Sequence, residues 1–179
     1  MTTLMAPAIS RRNLLKVGLL GTAALATAGA TVALVDRFAS APADGYLTLR
    51  PADLPVLFAL TPVMLEGAVE PARLAQASHN TVQALDAQLA YLSPEMLKLT
   101  RQMFDVLALP VTRGPLTGIW GSWETATPEA VRNFLARWEN SPLSLLRMGH
   151  ASLLQLVMMA WYGRPEAWAH CGYPGPPSV

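Results

Sequence analysis

The fold of this chain is decided by the stretch at residues 142–162, which reads PLSLLRMGHASLLQLVMMAWY. Its leucines, methionines and aromatic residues fall on nearly every side of a 3.6-residue period, so the stretch predicts one long apolar helix. Only Ser144, Arg147 and Gln155 form a narrow polar line along it. A helix this apolar is either central in a bundle or pressed against another protein. Because its companions are short, we expect both.

Four more helices are predicted upstream of this stretch, at residues 52–66, 71–92, 94–107 and 128–140. Hydroxyl residues followed by proline indicate helix starts at Thr61-Pro62, Ser93-Pro94, Thr127-Pro128 and Ser141-Pro142. In the 71–92 helix, periodicity predicts a buried stripe of Leu74, Ser78, Thr81, Val82, Leu85, Leu89 and Leu92. The same periodicity places Gln76, Asn80, Gln83 and Asp86 away from that stripe. The predicted fold class is therefore all-α, a small bundle of about five helices over residues 42–162.

Two segments rich in glycine, proline and tryptophan break the helical pattern. Residues 110–127 predict a long loop, and residues 163–179 predict an irregular tail, since proline and glycine disfavour helix. Aromatic and proline side chains suit docking in the grooves of other proteins. We expect a partner-docking surface made of Trp120, Trp123, Trp168, Tyr173, Pro174, Pro176 and Pro177. The alternative is that the tail wraps the bundle and covers its core.

The N-terminal 41 residues have the pattern of a twin-arginine export signal, preceding the bundle as a signal helix. The motif comprises Ser10, Arg11, Arg12, Leu14, Leu15 and Lys16, and 19 uncharged residues follow it at 17–35. This route exports folded proteins, so we expect contact with the twin-arginine translocase and a periplasmic location. Small residues at 39–41 or 26–28 suggest a cleavage site, but Pro42 disfavours the first and the second lies within the apolar run. The run approaches the roughly 20 residues that span a bilayer, so an uncleaved anchor in the inner membrane stays an alternative.

Composition excludes several classes of function. The leader holds four of the 13 basic residues and one of the 12 acidic ones, so the remainder is slightly acidic and predicts no nucleic-acid binding. Cys171 is the only cysteine, which rules out a disulfide within the chain. His79, His150 and His170 are scattered, without acidic partners at ligand spacing, so no metal site and no catalytic set is predicted.

Three parts of the chain together resemble a known family. They are Ser10-Arg11-Arg12 in the leader, Leu49-Arg50-Pro51-Ala52-Asp53 at the start of the body, and an ending with Trp161-Tyr162, Trp168 and Gly172-Tyr173-Pro174-Gly175-Pro176-Pro177. These features are similar to the small subunits of periplasmic flavin-dependent sugar and alcohol dehydrogenases, typified by gluconate 2-dehydrogenase subunit 3.

The resemblance implies a division of labour between two subunits. In that family the large subunit is a GMC-type oxidoreductase that holds FAD and often lacks an export signal, while the small subunit carries the twin-arginine signal for both. It implies no catalytic, cofactor-binding or metal-binding residue in this chain. Some family members have disulfide-forming cysteines. This chain departs from them, because its single cysteine, Cys171, cannot form a disulfide within the chain. The alternatives are a stand-alone periplasmic binding or interaction protein and an enzyme in its own right.

Overall fold

Seven α-helices form the part of the chain that the computed structural model describes, residues 41–175, with backbone alone for 169–171. They are α1 (Leu54–Met64), α2 (Leu74–Leu89), α3 (Pro94–Ala108), α4 (Pro110–Thr117), α5 (Pro128–Glu139), α6 (Ser144–Tyr162) and α7 (Pro165–Cys171). Short 3₁₀ turns occupy Pro71–Arg73 and Trp123–Thr125. Residues 41–175 contain no strand beyond an isolated bridge between Glu66 and Val69. The predicted all-α class is confirmed. The predicted export signal, Pro176 and Pro177 lie outside the described residues.

Two of the predicted helix starts form as the capping pattern requires. The Oγ of Ser93 accepts a hydrogen bond from the N–H of Met96 at 3.3 Å, and the Oγ1 of Thr127 accepts from Ala130 at 3.2 Å. In both cases the hydroxyl satisfies a backbone donor that has no partner within the helix. No helix begins at the other two predicted starts. Pro62 lies inside α1, and α6 begins two residues after Pro142.

The centre of the bundle is α1 rather than the long apolar helix. Val56, Leu57 and Leu60 are fully buried, and α1 packs against α2, α3, α5 and α6. The expectation that residues 142–162 form the central helix is therefore wrong. Helix α6 buries one side only, through Leu153, Val157, Ala160 and Trp161. The shorter helix is central because it packs against four other helices, and its remaining face, with Phe58, is partly exposed.

An N-terminal strap, residues 43–50, is held against α2 by Asp86. The two Asp86 carboxylate oxygens accept hydrogen bonds from the N–H groups of Leu47, Thr48 and Leu49 at 2.6, 2.8 and 2.8 Å. Asp86 is only 4% exposed, so its predicted place on the outer side of α2 is wrong. The helical period cannot show that another chain segment covers that position. Burial, and secondarily the Asp86 charge, raise the pKa of the neighbouring Tyr46.

Arg50, the last residue of the strap, holds the same half of it from inside the bundle. Its Nη2 atom lies 2.8 Å from Asp53 Oδ1 and 2.6 Å from Asp105 Oδ1, so one buried cation serves two carboxylates. The pKa of Asp105 is raised, mainly by burial, although the hydrogen bond and charge of Arg50 act in the opposite direction. Burial alone would lower the pKa of Arg50, but the two aspartates outweigh it and the net direction is upward. The C-terminal half of the strap is thus held by two ionic groups, while the N–H of Ala43 donates to the carbonyl of Leu49 at 2.8 Å.

The two segments predicted as irregular each contain a helix. Helix α4 occupies the first half of the 110–127 loop, and α7 occupies much of the 163–179 tail. Both helices open on a proline and end at a glycine in the left-handed region, Gly118 at φ 82° and Gly172 at φ 69°. Proline at the first position and glycine after the last are a helix-bounding pattern. The prediction that both segments are irregular throughout is therefore wrong, because proline and glycine at these positions bound a helix instead of preventing one.

Candidate docking surface

Trp120 is a large exposed aromatic side chain that is held in place by its own domain. It is 77% exposed, yet one part of its ring rests on the backbone of Gly114 in α4. A Cβ atom built at Gly114 would lie 2.5 Å from Cε3 of the indole, so a glycine is needed for this approach. An exposed tryptophan that already has a fixed position loses little entropy on binding. Such residues commonly dominate protein interfaces.

Trp123, three residues later, belongs to the core. It is 3% exposed, its Nε1 donates to the carbonyl of Leu107 at 2.8 Å, and its ring meets that of Phe134 edge-on at 5.9 Å. The prediction that Trp123 presents a docking surface is wrong, because its side chain is already covered. The 3₁₀ turn Trp123–Thr125 directs it inward.

The tail folds back on the end of α6 through Trp168. The Nε1 of Trp168 donates to the carbonyl of Tyr162 at 2.8 Å, and its ring meets that of Tyr173 edge-on at 5.8 Å. The N–H of Tyr173 donates to the carbonyl of Trp168 at 2.9 Å. Tyr173 nevertheless stays 48% exposed, and Pro174 is exposed beside it. The described tail therefore packs on the bundle and still offers an outward aromatic face.

Polar contacts fix the start of α7 against α2. The Oε1 of Glu166 accepts from Arg164 Nη2 at 2.8 Å and from Asn80 Nδ2 at 3.3 Å, while Arg164 Nη1 donates to the Asn80 carbonyl at 3.2 Å. The hydrogen bond from Arg164 is the main reason that the pKa of Glu166 is lowered. Ala167 is completely buried on this side. The C-terminal segment is thus positioned by the domain itself.

Helix α6 presents a second exposed surface, which we call the α6 seam. Its six residues are all exposed and recur at alternating intervals of three and four, so they share one face of the helix. They are Leu145, Met148, Ser152, Gln155, Met159 and Tyr162. A shorter exposed stripe with Met96, Leu99 and Val106 runs along α3. Exposed faces on which large apolar residues predominate mark interaction sites more often than ordinary surface.

Two concavities lie elsewhere on the domain. An apolar groove of about 890 Å³ is lined by five prolines and Phe58, and a more polar pocket of about 440 Å³ is lined by Trp161, Glu166 and parts of α2. The indole N–H of Trp161 is buried and has no acceptor among the residues that the structure describes. Neither concavity contains a convergent set of acid, base and nucleophile.

The candidate metal and catalytic residues are not brought together. His79 is exposed and stacks on Phe58 at 5.8 Å, while His150 is half-buried on α6. The side chains of His170 and Cys171 lie outside the description. Among the described residues no group of three histidine, cysteine, aspartate or glutamate side chains is placed to hold a metal ion. None of the helices described between residues 41 and 175 is long and apolar enough to span a bilayer.

Comparison with other proteins gives no match for this chain, whether with protein-family models, with curated proteins or with solved structures.

Proposed function

We propose that this chain is a non-catalytic accessory subunit of a periplasmic FAD-dependent dehydrogenase of the GMC type, acting on a sugar or an alcohol. In this proposal it carries the twin-arginine export signal for its folded partner and stabilises that partner. The FAD belongs to the large subunit, and this chain holds no cofactor. The observation that carries the proposal is the motif Ser10-Arg11-Arg12 in frame with Leu14, Leu15 and Lys16, directly before the apolar run.

The export route supports a partner-carrying role. A small helical domain without a cofactor can cross a membrane unfolded, so a route for folded proteins brings it no evident advantage. A flavoprotein differs, because it acquires FAD only by folding around it in the cytoplasm. A chain that couples a folded-protein signal to a docking surface solves this problem for a partner that lacks a signal of its own.

The exposed aromatic residues support the same proposal. Trp120 supplies a fixed anchor on α4, and Tyr173 with Pro174 supplies a second exposed patch on the tail. Tryptophan and tyrosine are over-represented among the residues that dominate binding energy. Their task here is recognition of the large subunit, with no part in the oxidation of substrate.

The proposal is tested by co-expressing the tagged chain with a signal-less GMC oxidoreductase encoded beside it. We expect flavin absorbance to co-purify with the tag. Trp120→Ala should weaken capture about thirtyfold, since loss of a central aromatic anchor typically costs about 2 kcal/mol. Tyr91→Ala is the matched control, because Tyr91 is 90% exposed but lies between α2 and α3.

Two results would count against the proposal. A chain that is exported normally but never captures a flavoprotein favours the stand-alone periplasmic binding protein. Equal loss of capture in the Trp120 and Tyr91 variants would show that the loss does not report a specific docking site.

A further inference from the structure

The α6 seam carries no charge along its whole length. The one arginine or lysine of α6 is Arg147, which lies off the seam and donates through Nη1 to the carbonyl of Ser141 at 2.5 Å; the helix has no aspartate or glutamate. The two ends of the seam, Leu145 and Tyr162, are seventeen positions apart, so it is about 25 Å long at the helical rise. An exposed face of this length without charge is poorly suited to permanent contact with water.

The seam is chemically symmetric about its midpoint. Reversing its direction exchanges Leu145 with Tyr162, Met148 with Met159, and Ser152 with Gln155. Large apolar residues therefore exchange with large apolar residues, and the hydroxyl exchanges with the amide. A two-fold axis requires this kind of self-complementarity, because each copy then offers the same patch to the other. An interface with an unrelated partner has no such requirement.

We propose that the α6 seam binds the α6 seam of a second copy of this chain, antiparallel, around a two-fold axis between residues 153 and 154. Antiparallel helices place opposite ends of their dipoles together, whereas parallel helices place like ends together. In this arrangement each Ser152 hydroxyl meets the Gln155 amide of the other copy, and the two symmetric hydrogen bonds fix the register. The polar pair at the centre thus acts as a specificity device between apolar ends.

The size of the seam sets the expected strength. Six side chains on one helix face form an interface smaller than the ~800 Å² per partner of a standard stable complex, so we expect a weak dimer that forms only at about micromolar concentration. The inference goes beyond the proposed function, since it concerns a different surface from Trp120 and does not require the flavoprotein.

Cysteine cross-linking of the full chain tests the arrangement. Two differently tagged copies carry Cys171→Ser, and one also carries Ser152→Cys while the other carries Gln155→Cys. We expect the mixed pair to form a disulfide at least about fivefold more efficiently than either variant with itself, because only the mixed pair is opposed across the axis. Preferential self-pairing of the Ser152→Cys variant indicates parallel helices and overturns the proposal, as does the absence of any cross-link.

Disruption of the seam gives a second, independent readout. Met148→Glu places one buried charge in each copy, and therefore two in each dimer, so it should weaken dimerisation of the full chain at least about tenfold. Light scattering across a concentration series measures this change. Leu99→Glu on the α3 stripe is the matched control and should leave the dimer intact, since Leu99 is equally an exposed apolar residue. A monomer at tens of micromolar, or equal weakening by both variants, would refute the self-association.

Discussion

Replacing Asp86 with alanine removes the carboxylate that accepts three consecutive backbone N–H groups of the N-terminal strap. The three donors are those of Leu47, Thr48 and Leu49, at 2.6 to 2.8 Å. Hydrogen bonds to a charged group are stronger than neutral ones, and a donor left buried without a partner is costly. We therefore expect Asp86→Ala to release the strap from α2 and to destabilise the domain.

The magnitude follows from comparing two outcomes. If the strap stays in place, the two buried donors, those of Thr48 and Leu49, cost about 1–3 kcal/mol each, although the terms are not additive. The donor of Leu47 is only part-buried, so water can satisfy it. If it detaches, water satisfies the donors, but the buried side chain of Leu49 is exposed at a cost of about 2 kcal/mol, in addition to the net value of the lost bonds. The chain takes the less costly outcome, so we expect a loss of about 3 to 4 kcal/mol.

Urea unfolding followed by circular dichroism measures this loss, and limited proteolysis reports whether the strap has become accessible. Gln83→Ala is the matched control on the same helix, because Gln83 is exposed. Its free energy of unfolding should change by less than about 0.5 kcal/mol. An Asp86→Ala protein as stable as the control, with the strap still protected, would refute the role assigned to the carboxylate.

Three further predictions concern α6, α4 and α7. Leu153→Asp should unfold the domain in circular dichroism because Leu153 is completely buried, whereas Leu154→Asp, at a residue that is 38% exposed, should remain folded; similar behaviour of the two variants would contradict the burial pattern. Gly114→Ala should preserve the fold but reduce flavoprotein capture as strongly as loss of Trp120 does, since its Cβ displaces the indole; undiminished capture would show that the indole position is unimportant. The pKa of Glu166 is lowered, so the stability that its carboxylate contributes is present above its ordinary pKa and is lost as the pH falls through the lowered value. Glu166→Gln should therefore flatten the acid side of the melting temperature against pH, and an unchanged profile would contradict this.

Local signals predicted the helices α2, α3 and α5 well. Their starts depend on residues that lie within one turn, such as the Ser93 and Thr127 caps, and their buried sides follow the helical period. Both α4 and α7 were missed because their prolines and glycines were interpreted as breakers, although a proline at the first position and a glycine after the last favour a helix in each case. Helix α4 also contains Gly114 and Pro115 in its interior, which local signals do not predict.

Features that depend on tertiary packing could not be predicted from the sequence. Trp120 and Trp123 are the same residue type three positions apart, yet one is exposed and the other is in the core, because Trp123 begins a 3₁₀ turn that directs its side chain inward and Trp120 lies before that turn. Asp86 lies on the polar side of its helix by periodicity, but the strap covers that position. The sequence of α6 is apolar on nearly every side, so it does not show which side is buried. The position of the exposed seam depends on which neighbouring helices pack against α6.

The role that we propose for this chain is to carry a folded flavoprotein through its twin-arginine signal. The most direct test replaces Arg11 and Arg12 with lysine, which keeps the charge but removes the planar guanidinium, in cells that also produce the signal-less partner. Fractionation then locates both proteins and the flavin. We predict that the chain and the flavoprotein both remain in the cytoplasm, whereas the unmodified chain brings both to the periplasm. Periplasmic accumulation of the flavoprotein alongside the double-lysine variant would contradict the account.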